Sequence, residues 1–234
     1  MNINELYSLW CEKAVDDPDL KQELISVADD SEGINDRFYR NLEFGTGGLR
    51  GVIGAGTNRM NIYTVTKATQ GLAEYILEVG PEAAKRGVVI AHDCRNMSAE
   101  FTEASALCLN ANGIKTYVFD ALRPTPELSF AVRELGCIAG IVVTASHNPP
   151  EYNGYKVYGP DGCQITAEIA DAITNAIASV DIFDDVKTMD FDEALNQGLV
   201  SFIDEKVLDA FLDAVYEQSV YDKDPGNLKL VYTP

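Results

Sequence analysis

The chain has 234 residues, of which 46% are hydrophobic and 24% charged. These are ordinary values for a globular protein of one or two domains, and they exclude a collagen-like, low-complexity or globally disordered chain. Lysine and arginine number 18 against 37 aspartates and glutamates, a net charge of −19 that repels nucleic acid and anionic lipid at long range.

The charge is uneven. Residues 1–36 carry a net −8 and residues 160–234 a net −12, whereas residues 37–159 carry +1. An anionic substrate is therefore expected in the middle. The five cysteines (Cys11, Cys94, Cys108, Cys137 and Cys163) form no CxxC pair and no metal-ligand spacing. Read as structural thiols, they fit a reducing, cytosolic compartment. The segment MNINELYSLW has no basic stretch before an apolar run, so no signal peptide is expected. The longest apolar run, 137–145, is too short to span a bilayer. A soluble, cytoplasmic protein is expected.

In chain order, residues 1–40 read as helices. Asp17 and Pro18 form an N-cap and N1 pair. Ser31 is expected to cap the next helix, with Ile34, Phe38 and Leu42 at helical spacing. Residues 44–60, FGTGGLRGVIGAGTNRM, hold six glycines and read as a shaped loop. Ala68, Leu72, Ala73, Ile76 and Leu77 predict a helix from about Val65 to Gly80. Residues 87–93 predict a buried strand. Ser98 is expected to cap a helix running to Asn112 and ended by Gly113. Residues 114–119 predict a strand. Thr125 is expected to cap a helix with Pro126 at its first position, closing at Gly136. Residues 137–145 and 153–159 predict the third and fourth strands. Thr166 is expected to cap a helix to about Val180, and Asp204 another to about Ser219. Residues 228–233 predict one more strand.

Strands alternating with helices of a dozen residues predict an α/β layered domain. The expected division is a helical extension over 1–40, an α/β domain over 41–200, and the truncated start of a second domain over 201–234. The last strand has no helix after it, so a fragment of a longer chain is expected.

The chemistry-bearing segment is TASHNPPEYNGYK, residues 144–156. A buried strand ends at Ser146, and in open α/β sheets ligands gather at the carboxyl ends of strands. Pro149 and Pro150 stiffen the loop. His147 is a neighbouring proton handler, and Lys156 supplies a fixed positive charge. A serine hydrolase is disfavoured. The GxSxG elbow is absent, and a triad would need either His147, next in sequence, or His92.

TASHNPPEYNGYK together with FGTGGLRG resembles the α-D-phosphohexomutase superfamily of phosphoglucomutases and phosphomannomutases. INDRFYRNLEFGTGGLRG, residues 34–51, is similar to its longer-chain phosphoglucomutase/phosphopentomutase branch. The resemblance implies a layered α/β/α domain with a mixed, mostly parallel sheet behind an N-terminal helical extension. It implies a phosphohexose mutase in which Ser146 carries a phosphoryl group. That group moves between the C1 and C6 hydroxyls of a hexose phosphate through a sugar bisphosphate.

By the same resemblance Arg50 is the active-site arginine, and its five-donor guanidinium suits a transferring phosphoryl group. Lys156 helps move the substrate hydroxyl proton, and His147 orients or transfers protons. Thr46, Gly47, Arg50, Arg95 and Asn148 are expected around phosphate or substrate, with Asn148 mainly shaping the loop. Asp93 and Arg95 brace the serine loop as an ion pair or touch phosphate. The glycines near Arg50 let backbone N–H groups approach oxygens. Mg²⁺ is implied through the Ser146 phosphate and three aspartates of a DGDxDR motif, which this sequence lacks. Asp190-Phe191-Asp192 has no glycine and reads as a solvated acidic loop. A sugar bisphosphate activator, a hexose phosphate substrate and the remaining domains of a parent chain are the implied partners, with no nucleic acid or membrane. The fragment alone is expected to be inactive. The alternatives are phosphomannomutase or phosphopentomutase specificity, a sugar-1,6-bisphosphate synthase, and a non-catalytic interaction module.

Overall fold

The computed structural model describes residues 2–220 and 226–231. The chain divides into two units, residues 1–203 and 204–234.

The first unit opens with three short helices, α1 (Ile3–Lys13), α2 (Pro18–Ser26) and α3 (Ser31–Phe38). Each begins on a side-chain cap. Asn2 and Glu5 form a reciprocal capping box on α1, and Asp17 accepts the N–H groups of Asp19 and Leu20 ahead of Pro18. Asp30, not Ser31, caps α3, because its carboxylate reaches the Gly33 N–H and leaves Ser31 as the first helical residue. The helices bury Trp10, Leu24, Ile34 and Phe38 in a second core, which Ala55 and Tyr63 complete. Trp10 meets Phe38, Tyr63 and Phe183 edge-on, with ring centroids 5.4–5.7 Å apart.

The α/β part follows as β1 (Gly48–Val52), α4 (Ile62–Val79), α5 (Pro81–Arg86), β2 (Val88–His92), α6 (Ser98–Ala111), β3 (Thr116–Val118), α7 (Thr125–Glu134), β4 (Ala139–Val143), β5 (Tyr152–Tyr158), α8 (Ala167–Ser179), α9 (Phe191–Asn196) and β6 (Val200–Phe202). The strands form one sheet in the order β1-β5-β4-β2-β3-β6. Strands β4, β2, β3 and β6 pair in parallel, and β5 runs antiparallel to both β4 and β1. This is the mixed, mostly parallel sheet expected. Val88, Ile90, Ile141 and Val143 join Leu72 and Ile76 of α4, Phe101 and Leu109 of α6 and Ile173 of α8 in the main core. The alternate residues point to the other face. There α7 packs so closely that a Cβ on Gly140 would sit 2.6 Å from Val132. The sheet is thus covered by helices on both faces.

Several boundaries differ from the sequence reading. Helix α4 starts at Ile62, because Asn61 and Thr64 cap it reciprocally. Ser98 is the first residue of α6 and caps nothing; Met97, at φ 63°, precedes it. Thr125 is likewise the first residue of α7, after Pro124. Helices α5 and α9 and strand β6 escape sequence reading because they are three to six residues long and show no full period. Asp190 is exposed as expected but is no mere loop residue: it caps α9 through the Glu193 N–H, and Phe191 and Asp192 open that helix.

The glycine-rich segment is also more regular than expected. Gly48–Val52 is an edge strand paired with β5, with Gly48 opposite Lys156. Glycine is what lets the two backbones close. A Cβ on Gly48 would lie 2.0 Å from the Tyr155 carbonyl oxygen.

The second unit holds α10 (Glu205–Glu217), capped by Asp204 as expected. Of the strand predicted over 228–233, residues 228–231 form none, and the rest lies outside the described residues.

Gly48→Ala is expected to destabilise the chain by about 1–3 kcal/mol through forced separation of β1 from β5. The urea midpoint measures it, and an unchanged midpoint would contradict the pairing.

Candidate active site

The site begins where β4 ends. Beyond Val143 the chain turns sharply, and Ser146 adopts φ 56° in the left-handed region. A serine there carries strain of about 1–3 kcal/mol and persists only when its surroundings enforce it. The Ser146 N–H donates to Thr144 Oγ1 at 2.9 Å, a local Ser/Thr turn. The Thr144 hydroxyl donates in turn to Asp93 Oδ2 at 2.5 Å. Asp93 lies just past the end of β2, next to β4 in the sheet. Its other oxygen accepts from the Ser98 hydroxyl and the Arg95 N–H, both at 3.0 Å.

Ser146 itself is exposed. The antiparallel pairing of β5 with β4 returns the chain alongside it, and Lys156 Nζ donates to Ser146 Oγ at 3.0 Å. Arg50 enters from β1, opposite Gly154, and its Nη1 donates to Asn148 Oδ1 at 3.1 Å. Three backbones converge here. A Cβ on Gly154 would lie 2.6 Å from the Thr144 carbonyl and 3.0 Å from that of Leu49. Burial lowers the pKa of Lys156, and the Arg50 charge lowers it further, against an opposing pull from Asp93.

The fold therefore gathers Ser146, Lys156, Arg50, Asn148 and Arg95, which lie up to about a hundred residues apart in sequence. It does not gather the rest in the same way. His147 is exposed, and no hydrogen bond ties it to Ser146 among the described residues. The His92 ring nitrogen Nδ1 lies 2.9 Å from the Asp93 carbonyl, so neither histidine makes a triad with the serine. Gly47 is buried against Ile165, its N–H donates to the Phe44 carbonyl at 3.4 Å and its carbonyl accepts from the Val157 N–H, so both backbone groups are engaged away from Ser146. Thr46 is exposed in the turn before β1, without a hydrogen bond to the Ser146 cluster.

Arg95 also departs from the phosphate contact expected of it. Its guanidinium turns into the serine loop, where the carbonyls of Ser146, Asn148, Pro149 and Tyr152 accept from its two Nη groups and the Asp93 carboxylate faces Nε. The ion-pair alternative holds, with Nε 3.6 Å from Asp93 Oδ2.

The residues present do not fit a Mg²⁺ cage. The described residues hold no cluster of three or more His, Cys, Asp or Glu side chains. Two cations flank Ser146, and Asp93 is already engaged by Thr144, Ser98 and Arg95. The cysteines divide. Cys108 and Cys137 are buried, with thiols pushed up to about 12 by burial, whereas Cys11, Cys94 and Cys163 are exposed rather than structural.

Sequence reading missed Thr144, Ser98 and Asn153 as supports of the site. A hydroxyl two residues before Ser146 is a recognisable turn signal for Thr144. The Asn153 amide, which donates to Ser98 Oγ at 3.0 Å, meets it only through the fold.

Comparison with known proteins agrees with this geometry. The family model "Phosphoglucomutase/phosphomannomutase, alpha/beta/alpha domain I" matches residues 41–182. A "Probable phosphoribomutase" of Schizosaccharomyces pombe is 46% identical over 165 residues, covering 70% of this chain and 28% of that protein. A phosphoglucomutase of Staphylococcus haemolyticus is 36% identical over 200 residues, covering 84% of this chain and 35% of that protein. The crystal structure of a phosphoglucomutase/phosphomannomutase family protein from Burkholderia thailandensis aligns with a TM-score of 0.54 at 25% identity, over 75% of this chain and 35% of that one. The chain thus spans about a third of the length of the relatives it matches. With the matched model over most of its α/β unit and the same layered sheet beneath it, this chain belongs to the phosphoglucomutase/phosphomannomutase family.

Proposed function

We propose that Ser146 is a phosphoryl carrier. The whole protein then moves a phosphoryl group between the C1 and C6 hydroxyls of a hexose phosphate through a sugar bisphosphate. The observation that carries this reading is the exposed, conformationally fixed Ser146 Oγ, 3.0 Å from Lys156 Nζ, in the one stretch of sequence where charge is balanced.

Phosphate-ester cleavage is among the slowest uncatalysed reactions, with accelerations of up to ~10²¹. Its catalysis is mainly positioning and charge stabilisation. A phosphoserine brings about −1.5 to −2 charges. Arg50 offers a planar fork of donors toward it, and among the described residues its guanidinium is tied only to Asn148. Burial and the Arg50 charge lower the Lys156 pKa, which favours its neutral form. In that form it takes the proton of the attacking sugar hydroxyl and delivers it to Ser146 Oγ as the phosphoryl group leaves. The reverse passage returns the other phosphate to the serine. His147, exposed on the same loop, is assigned a supporting role in orientation.

Mg²⁺ and a sugar bisphosphate activator enter this reading through the family. Within this chain an oxygen on phosphorylated Ser146 is the one ligand offered to Mg²⁺. The further ligands and the sugar grip are assigned to the remaining length of a parent protein built like the relatives. On this division, 201–234 opens a second domain, and the chain alone shows no useful mutase turnover. The location is assigned to the cytoplasm. A pentose phosphate is the second substrate reading, favoured by the 46% identity to the "Probable phosphoribomutase". Comparing kcat/KM for the two sugar phosphates in the full-length protein decides between them. Omitting added sugar bisphosphate from that assay separates a mutase from a bisphosphate synthase.

In the full-length protein Ser146→Ala is expected to lower kcat by roughly 10³–10⁶-fold. The intact mass should show one added phosphate on the native chain and none on the variant. Undiminished turnover would refute the carrier.

Arg50→Gln removes a like charge beside Lys156, so the Lys156 pKa should move up toward its ordinary value. An NMR titration of the ¹³C-dimethylated lysine checks the sign, and a fall would contradict the coupling.

A further inference from the structure

We propose that Arg95 is a positioning residue that sets the direction of Ser146 Oγ by gripping the serine loop from beneath. This rests on Ser146 being the phosphoryl carrier.

The argument is a donor count. Arginine has five N–H donors in a rigid plane and no acceptor. Arg95 Nη1 donates to the carbonyls of Pro149 and Tyr152 at 2.9 and 3.0 Å. Nη2 donates to those of Ser146 and Asn148 at 2.8 and 2.6 Å. Nε faces Asp93 Oδ2 at 3.6 Å. All four hydrogen bonds of its two Nη groups thus go to carbonyls of the serine loop, and Nε is turned to Asp93 as an ion pair. The side chain is only 13% exposed, and its own backbone N–H is tied to Asp93 Oδ1.

The geometry at Ser146 makes the grip specific. Its carbonyl is held by Arg95, and its N–H is held by Thr144, whose hydroxyl rests on Asp93. Both polar groups of Ser146 are thus fixed to one Arg95–Asp93 pair. Fixing them fixes φ and ψ and so the direction of Cα–Cβ, and the Lys156 Nζ hydrogen bond at 3.0 Å selects the rotamer that places Oγ. The left-handed turn at φ 56° is then enforced from both sides. A mutase uses the same oxygen twice in each turnover, first as leaving group and then as acceptor. Misplacement of a reacting atom by about 1 Å costs on the order of 10²-fold in rate. Lysine at position 95 keeps the charge, but its three donors radiate from one nitrogen and do not span four carbonyls.

The test is steady-state kinetics of the full-length protein, with each variant assayed below its own thermal midpoint. Arg95→Lys is expected to lower kcat about 10²-fold while KM for the sugar phosphate stays near native. Thr144→Val, which removes the hydroxyl under Ser146 at nearly constant volume, should act in the same direction. Thr144→Ser, which keeps the hydroxyl, should restore kcat. If Arg95→Lys does not fold, the Thr144 pair decides alone. A raised KM with native kcat in Arg95→Lys would make Arg95 a substrate ligand and overturn the proposal. So would native kcat in both Arg95→Lys and Thr144→Val. Ser146→Ala keeps the two claims apart. If it is active, the carrier reading itself is wrong. If it is dead while the position-95 and position-144 variants are native, only the positioning claim fails.

Discussion

The constraint on which the site depends is the fixing of one peptide in an unfavourable turn. Ser146 is bent into the left-handed region, and its backbone is anchored on both sides to a half-buried ion pair at the end of the neighbouring strand. Parallel pairing of β2 with β4 places Asp93 beside Thr144, so the sheet itself delivers the anchor. Antiparallel return of β5 delivers Lys156 to the same point. A fully parallel neighbour would need a crossover of a dozen or more residues before coming back. The reversed strand reaches the serine ten residues later, which explains why Ser146 and Lys156 sit within one short motif.

The charge pattern follows the same logic. The strongly acidic ends, residues 1–36 and 160–234, repel anions, and the balanced middle lets two cations face an exposed hydroxyl. Among the described residues no free carboxylate stands beside them, since Asp93 is committed to Thr144, Ser98 and Arg95. Under the proposed carrier role, the cations that would face a phosphoryl group are present, whereas the described residues hold no cluster that would gather a divalent cation.

Legibility in the sequence tracked the range of each interaction. Asp17-Pro18 announced α2, and the apolar spacing from Ala68 to Ile76 announced α4, because caps and helical faces are local. The caps that failed at Ser31, Ser98 and Thr125 failed by one residue, where a neighbouring residue took the N-cap position. Strand β1 was read as loop because glycine propensity argues against a strand. What decides there is the closeness of Tyr155 across the sheet, a contact invisible until the strands are paired. At the site, Ser146, Lys156, Arg50 and Asn148 were legible from the motifs and do meet. For Arg95 the sequence left a brace on the serine loop and a phosphate contact both open, and the structure shows the brace. A guanidinium near a phosphate loop reads as a phosphate ligand until its donors are counted against four carbonyls that only the folded loop turns toward it.

Arg50 has a further consequence that its donor geometry alone does not show. A phosphoryl group on Ser146 brings up to about two negative charges next to Lys156, and such a neighbour raises a lysine pKa. That pull favours the protonated form of Lys156, which cannot take the proton that the proposed reaction asks of it. Burial and Arg50 push the other way. In the proposed reaction the same arginine would offset the phosphoryl charge and favour the form of Lys156 that accepts a proton. Its position, one strand over from Lys156 and opposite Gly154, serves both ends. A cation placed only to bind phosphate could sit anywhere around the anion. One that must also tune Lys156 has to share its side of the sheet, which is where β1, admitted by Gly48, places it.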